Sequence, residues 1–157
     1  MTIPTTVLRC LEDRGANFEI RAHPAAVTAT EVAQAAHVSG DIVVKAVVLK
    51  DRDGLVVALL PATHVLLVRP IAKFLGRELE IAVEADFEEL FPDCDTGAVP
   101  ALTLPYGVTT IVDTVLFEAP RLFLESGSHS DLVAVSGADF GRLYADSDSL
   151  EFSVHKP

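Results

Sequence analysis

The stretch DIVVKAVVLKDRDGLVVALLP, residues 41–61, decides how the rest of the chain is read. Two runs of apolar, largely β-branched residues flank DRDG, Asp51 to Gly54, a tight turn signal, so the two segments pair as a hairpin. A side-chain period of two puts Val43, Lys45, Val47 and Leu49 on one face and Ile42, Val44, Ala46 and Val48 on the other. Lys45 thus sits mid-strand among apolar neighbours, where an unpaired ammonium is costly to desolvate. Two accounts stay open. Its side chain snorkels to water or pairs with a buried carboxylate such as Asp113, or it stands at a pocket mouth and meets an anionic ligand group such as a phosphate. A Schiff-base role has no companion motif, and Lys50, at the strand's end, reaches water.

Outward from the hairpin, the N-terminal side predicts a helix capped by Thr5 or Thr6, with Val7, Leu8 and Leu11 at helical spacing and Gly15 at its end. A strand FEIR follows, and then TATEVAQAAHVSG, where Thr28 and Glu31 have capping-box spacing ahead of an Ala-rich helix that stops near Gly40. On the C-terminal side HVLLVRPIAKFLG predicts a helix starting after Arg69, with Pro70 at its first position and Gly76 past its end. LEIAV is a strand and EADFEELF a short acidic helix. PDCDTGAVPALTLPYG is a Pro- and Gly-rich loop of the kind that carries function. TTIVD, RLFLE and LVAVS are strand-type runs, ADFGRLY is a last helix, and the polar segment 146–157 is expected to be a loosely held tail. No repeat or linker interrupts residues 1–157. The pattern is one α+β domain with a largely antiparallel or mixed sheet.

Composition narrows the function classes. The 157 residues can bury a real core without disulfides or metal. Twelve Lys and Arg against 23 Asp and Glu leave a net charge of −11, and the basic residues are scattered. That argues against a broad phosphate-gripping face, and so against DNA, but leaves room for a pocket holding only the tip of a nucleic acid. No apolar run approaches the roughly 18–20 residues that cross a bilayer, and the N-terminus lacks the basic start and apolar block of an export signal. A soluble, cytoplasmic protein with no membrane partner is expected. The two cysteines, Cys10 and Cys94, are far apart and suggest neither a zinc knuckle nor a disulfide framework.

The five histidines form no metal-ligand spacing, so no metal or other cofactor is expected. His129 stands apart because it lies in ESGSHSD, a Gly-containing turn between two strands where backbone amides can approach a ligand closely; an exposed turn histidine is the plainer account. GAVP, Gly97 to Pro100, offers a second such turn, with backbone donors able to face a developing oxyanion. No GxSxG elbow, GxxxxGK[ST] loop or GxGxxG loop is present. Cys94 lies between Asp93 and Asp95, which raise a thiol pKa, so it is read as structural.

These pieces stand in a telling order: HPAAVT from His23 to Thr28 before an Ala-rich helix, VVKAVVLKD, the Gly-Ala-Val-Pro loop, VD, and SGSH before DLVAVS. In that order the chain resembles the YbaK/ProX family of aminoacyl-tRNA deacylases, related to the editing domain of bacterial prolyl-tRNA synthetases, from about His23 to Tyr144. The resemblance implies a compact α/β fold whose curved mixed sheet has barrel-like character and is flanked by helices. It also implies hydrolysis of the ester joining a wrong amino acid to the terminal adenosine of a tRNA. The family's lysine matches Lys45, which would contact the phosphate or sugar near that adenosine. Its glycine-loop element matches Gly97 and Ala98, and its Gly-x-His element Gly127, Ser128 and His129. Thr28 heads the helix bordering the amino-acid pocket, Val32 one turn on helps set its size, and His23 opens the matching segment on the substrate side. The implied partners are the acceptor end of an aminoacyl-tRNA and, beside it, an aminoacyl-tRNA synthetase.

An aminoacyl ester is already activated, so such a site needs no nucleophile or metal; it must fix the carbonyl, stabilise charge on its oxygen and admit a water. Whether His129 moves protons or only positions the substrate stays open. A small pocket rejects the larger, correct amino acid by overlap, which points to alanine, serine, threonine or cysteine. Subgroups with Gly-Gly-Lys in place of Gly-Ser-His favour other substrates, so SGSH leans toward alanine. Two rival readings remain: a non-catalytic module that senses an aminoacyl nucleotide or regulates a synthetase, and a hydrolase of another small acyl or phosphate ester. Convergence of Lys45 and His129 on one open pocket separates the enzyme from the module.

Overall fold

The computed structural model describes residues 2–157. The strands are β1 (Phe18–Ala22), β2 (Val43–Asp51), β3 (Gly54–Pro61), β4 (His64–Leu66), β5 (Glu80–Ile81), β6 (Thr109–Asp113), β7 (Arg121–Glu125), β8 (Asp131–Ser136), β9 (Asp148–Leu150) and β10 (Ser153–His155). The helices are α1 (Thr5–Asp13), α2 (Ala29–Ala36), α3 (Val68–Leu75), α4 (Glu84–Phe87) and α5 (Gly137–Leu143). The expected hairpin forms the centre of the molecule: β2 and β3 pair antiparallel from Val44↔Pro61 to Asp51↔Gly54.

Around it an eight-stranded sheet runs in the order β1-β8-β7-β2-β3-β6-β9, with β5 on β2. The β2–β7, β3–β6 and β6–β9 pairs are parallel and the others antiparallel, so the sheet is mixed. It ends at β1 and β9, which do not join, so it is open and not a closed barrel. The pleat sends alternate residues to opposite faces. Val44 and Val48 pack with Val7 and Leu11 of α1 and with Phe140 and Leu143 of α5. Val43 packs with Phe123, Leu132 and the Val32 and Ala33 side of α2, while Leu49 packs with Val56, Leu60 and Ile71 of α3. Lys45 shares the face of Val43 and Leu49 and falls between those two apolar clusters.

Local signals differ from expectation where tertiary pairing overrides them. α1 begins behind Pro4 without a side-chain cap, so neither Thr5 nor Thr6 serves as one. Thr28 does cap α2, its Oγ1 accepting from Glu31 N–H at 3.2 Å. That helix ends at His37, which adopts the left-handed conformation at φ 58°, three residues before Gly40. His64–Leu66, ahead of the expected helix start, pairs as β4 with β10, and α3 starts at Val68, two residues before the expected first position Pro70. The expectation of a loosely held tail over 146–157 is corrected by the same pairing. β9 joins β6, β10 joins β4, and Phe152 between them is 1% exposed in the cluster around Ile71 and Ile111. A polar composition hid one large apolar anchor.

Candidate functional site

The strand β7 ends in Glu125, and the ESGSHSD turn that follows returns the chain into β8. Gly127 lets it turn, at φ 89°, and a Cβ there would sit 2.6 Å from Cys94 Sγ. Hydroxyls tie the turn internally. Ser126 Oγ donates to the Asp131 carbonyl at 2.7 Å, Ser128 N–H donates to Ser126 Oγ at 3.2 Å, and Ser128 Oγ donates to Asp131 Oδ2 at 3.2 Å. His23 is buried against this turn, its N–H donating to the Ser130 carbonyl at 2.9 Å.

The Pro- and Gly-rich loop packs on the same turn. Asp95 N–H donates to the Gly127 carbonyl at 2.8 Å, and Asp95 Oδ2 accepts from His129 N–H at 2.9 Å. His129 Nε2 donates to the Thr96 carbonyl at 2.7 Å, which leaves Nδ1 as the bare ring nitrogen. Ala98 N–H is spent on the Asp95 carbonyl at 2.9 Å. Further on, Ala101 N–H donates to the Glu125 carbonyl at 2.7 Å, and the buried Tyr144 hydroxyl donates to the Ala101 carbonyl at 2.6 Å. The loop is therefore held at both ends.

Between loop, turn and α2 lies a narrow cleft of about 20 Å³, room for one water-sized group. Six of the nine residues singled out from the sequence line it: Val32, Gly97, Ala98, Gly127, Ser128 and His129. Thr28 and His23 stand behind it as cap and packing residues. Lys45 does not line it, so the expected convergence of Lys45 and His129 on one open pocket is not met, and a binding module of the same fold stays the rival reading. Its ammonium donates to the carbonyls of His64 at 2.9 Å and Ala62 at 3.4 Å, so backbone oxygens, and not Asp113, compensate its charge. Asp113 is spent elsewhere, accepting from Ser153 Oγ at 2.6 Å, Phe152 N–H at 3.1 Å and Val115 N–H at 3.0 Å. Burial pulls the Lys45 pKa down, with Lys156 adding to the effect and Glu125 opposing it.

Glu125 is the residue sequence reasoning passed over. The parallel register Val43↔Phe123, Val44↔Leu124, continued by one step, brings Lys45 abreast of Glu125, and Glu125 lines the cleft. Burial pushes its carboxyl up to about 8, against the pull of Lys45. The signal was available: counting by two from buried Phe123 puts a charge on the apolar face, the criterion that had singled out Lys45. Burial also pushes the Cys94 thiol up to about 11, which agrees with its structural reading.

The Glu125 shift has a consequence for stability. An unfolded glutamate ionises near 4.5, whereas the folded one keeps its proton to about 8. Between those values the native state binds more protons, so this group's contribution falls as pH rises through the window. A shift of that size corresponds to about 5 kcal/mol without solvent; with the carboxyl bordering an open cleft, about 2 kcal/mol is expected. Urea unfolding at pH 5 and pH 8.5 checks this: the Glu125→Gln variant should gain about 2 kcal/mol on wild type at the higher pH and little at the lower.

A sheet that gathers two Gly-containing loops over a small cleft, with a lysine and a carboxyl beside it, describes a family. The model of the aminoacyl-tRNA editing domain matches residues 23–143, and the chain belongs to that family. Family membership implies, at that level, hydrolysis of the aminoacyl-tRNA ester. A candidate trans-editing enzyme for prolyl tRNA synthetase has the same fold at TM-score 0.77 and 20% identity, covering 98% of this chain and 99% of its own. A candidate signal transduction protein from Marinobacter aquaeolei VT8 superposes at TM-score 0.78 and 22% identity over 98% of this chain, which spans 31% of that longer protein. A hypothetical protein solved by crystallography superposes at TM-score 0.83 and 20% identity, over 95% of this chain and 99% of its own. No curated protein matches the chain. No helix among the described residues is long and apolar enough to cross a membrane.

Proposed function

We propose that the protein is a trans-editing deacylase that hydrolyses the ester of a small mischarged amino acid on tRNA, with alanine on a proline tRNA as the first candidate. The observation that carries the reading is the cleft itself, which collects both Gly loops and Val32 around a space of about 20 Å³. A methyl or hydroxymethyl group suits such a space, and a prolyl ring overlaps its walls. The structural likeness to a candidate trans-editing enzyme for prolyl tRNA synthetase supports the choice of tRNA.

In this mechanism water adds to the ester carbonyl, the bond to the ribose oxygen breaks, and free amino acid and tRNA leave. The amides of Ala98 and His129 are spent within the chain, so those of Gly97 and Gly127, which line the cleft and make no hydrogen bond among the described residues, are the donors for the oxyanion. His129 is held through Nε2 and offers Nδ1 as an acceptor, so it positions the substrate or its ribose hydroxyl. Lys45 uses two of its three N–H groups on carbonyls and keeps the third for the phosphate or sugar of the terminal adenosine.

The test is deacylation of tRNAs mischarged with alanine, serine, threonine and cysteine, comparing wild type with Lys45→Ala. Hydrolysis of at least one, reduced tenfold or more by the substitution, is the expected result. Unchanged rates sink the role of Lys45. An absence of hydrolysis on every tRNA sinks the enzyme and favours a binding module of the same fold.

A further inference from the structure

Among the ionisable groups of the cleft, Glu125 is the one whose side chain has no hydrogen-bond partner among the described residues. Asp131, also in the lining, accepts from the hydroxyls of Ser128 and Ser130, at 3.2 and 3.3 Å. His129 is fixed through Nε2 to Thr96. Glu125 feels only burial and the charge of Lys45, with no hydrogen bond. Its oxygens are absent from the sealed, unpartnered atoms, which among the described residues are His23 Nε2 and Asp95 Oδ1, so its carboxyl still touches the cleft. Its apolar neighbours there are Val27, Val32 and Leu132. A lone carboxyl at the edge of an apolar space is a site for a cationic group with N–H donors.

We propose that Glu125 receives the α-amino group of the aminoacyl moiety, making it the residue that admits a free aminoacyl ester and rejects an N-acylated one. The proposal rests on the deacylase reading above and adds a specificity element to it. Geometry favours this group over others. An α-amino group sits two bonds from the ester carbonyl, and Glu125 and Gly127, whose amide faces that carbonyl, are two positions apart on one turn. Proton balance also favours it. Burial raises the carboxyl to about 8, close to the roughly 7.7–8.0 of an α-amino group. A neutral acid meeting a neutral amine, or a carboxylate meeting an ammonium, reaches the same ion pair with no net proton taken from water. An N-acyl amide has no charge to pair and too much bulk for the cleft.

The experiment compares alanyl-tRNA with N-acetyl-alanyl-tRNA for wild type, Glu125→Gln and Glu125→Asp, with thermal melts to show that each variant is folded. Wild type should turn over the free amine at least tenfold faster. Glu125→Gln should lose most of that preference through slower turnover of the free amine, and Glu125→Asp should regain part of it. Equal wild-type rates on the two substrates, or a Glu125→Gln enzyme that discriminates as well as wild type, overturns the proposal. Failure of the deacylase reading is recognised separately, as no turnover of either tRNA. Calorimetry with 3′-alanylamido-adenosine and its N-acetyl form then decides: preference for the free amine that Glu125→Gln abolishes upholds the subsite, and equal binding or none overturns it.

Discussion

Asp113→Ala should lower the unfolding free energy by about 4 kcal/mol, because three donors lose their acceptor at once. Asp113 is fully buried. Its Oδ1 takes the Val115 N–H at the end of β6, and its Oδ2 takes both the Phe152 N–H and the Ser153 hydroxyl. Alanine leaves both N–H groups without a partner and the Ser153 hydroxyl with only His64 Nδ1, 2.8 Å away. Asparagine fills the space and keeps one oxygen, but its amide would face the Val115 N–H donor to donor, so roughly half the loss is expected. Ser153→Ala removes two bonds, to Asp113 Oδ2 and to the partly exposed His64 Nδ1, and should cost about 1.5 kcal/mol. Urea denaturation of the three variants should return that order, and a loss below about 1 kcal/mol for Asp113→Ala would show that the C-terminal segment contributes little to the fold.

Gly127→Ala should have the second largest effect, and should damage hydrolysis more than it damages stability. The residue adopts φ 89°, where an L side chain is strained by about 1–3 kcal/mol. A Cβ would also lie 2.6 Å from Cys94 Sγ and 3.3 Å from Pro4 Cγ. Cys94 must yield, and it adjoins Asp95, whose carboxylate and backbone hold His129 and the Gly127 carbonyl. Turnover on the best mischarged tRNA is expected to fall by about two orders of magnitude, in keeping with loss of one oxyanion donor. Cys94→Ala in the same background should restore part of the stability, because it removes the atom in collision. Strict additivity of the two substitutions would show that the collision is not the cause.

Legibility in the sequence followed the range of the interactions. The β2–β3 hairpin could be read because strand period and turn chemistry lie within about twenty neighbouring residues, and the α2 cap because Thr28 and Glu31 are one turn apart. The strand His64–Leu66 went unread because its partner, Ser153–His155, is almost ninety positions away. The tail was misread for the same reason. Of the residues lining the cleft, the two Gly turns could be read from local turn chemistry, whereas Val32 came only with the family resemblance. Lys45 was rightly picked as a buried charge, but its partners, the Ala62 and His64 carbonyls, are main-chain atoms that carry no side-chain signature. Glu125 was legible by the same alternation and was overlooked because it ends its strand.

The parallel pairing of β2 with β7 also bears on the order in which the molecule is built. Lys45 and Glu125 are eighty positions apart, the loop carrying Gly97 comes between them in the chain, and β8 reaches back past them to pair with β1. Loop closures of this length are slow to form and come late relative to a hairpin. During synthesis the central hairpin and the first two helices are complete long before β7 exists, so the nascent chain carries walls but no cleft. The site is thus a property of the finished sheet: a molecule that has stalled or misfolded partway presents no assembled cleft to a charged tRNA.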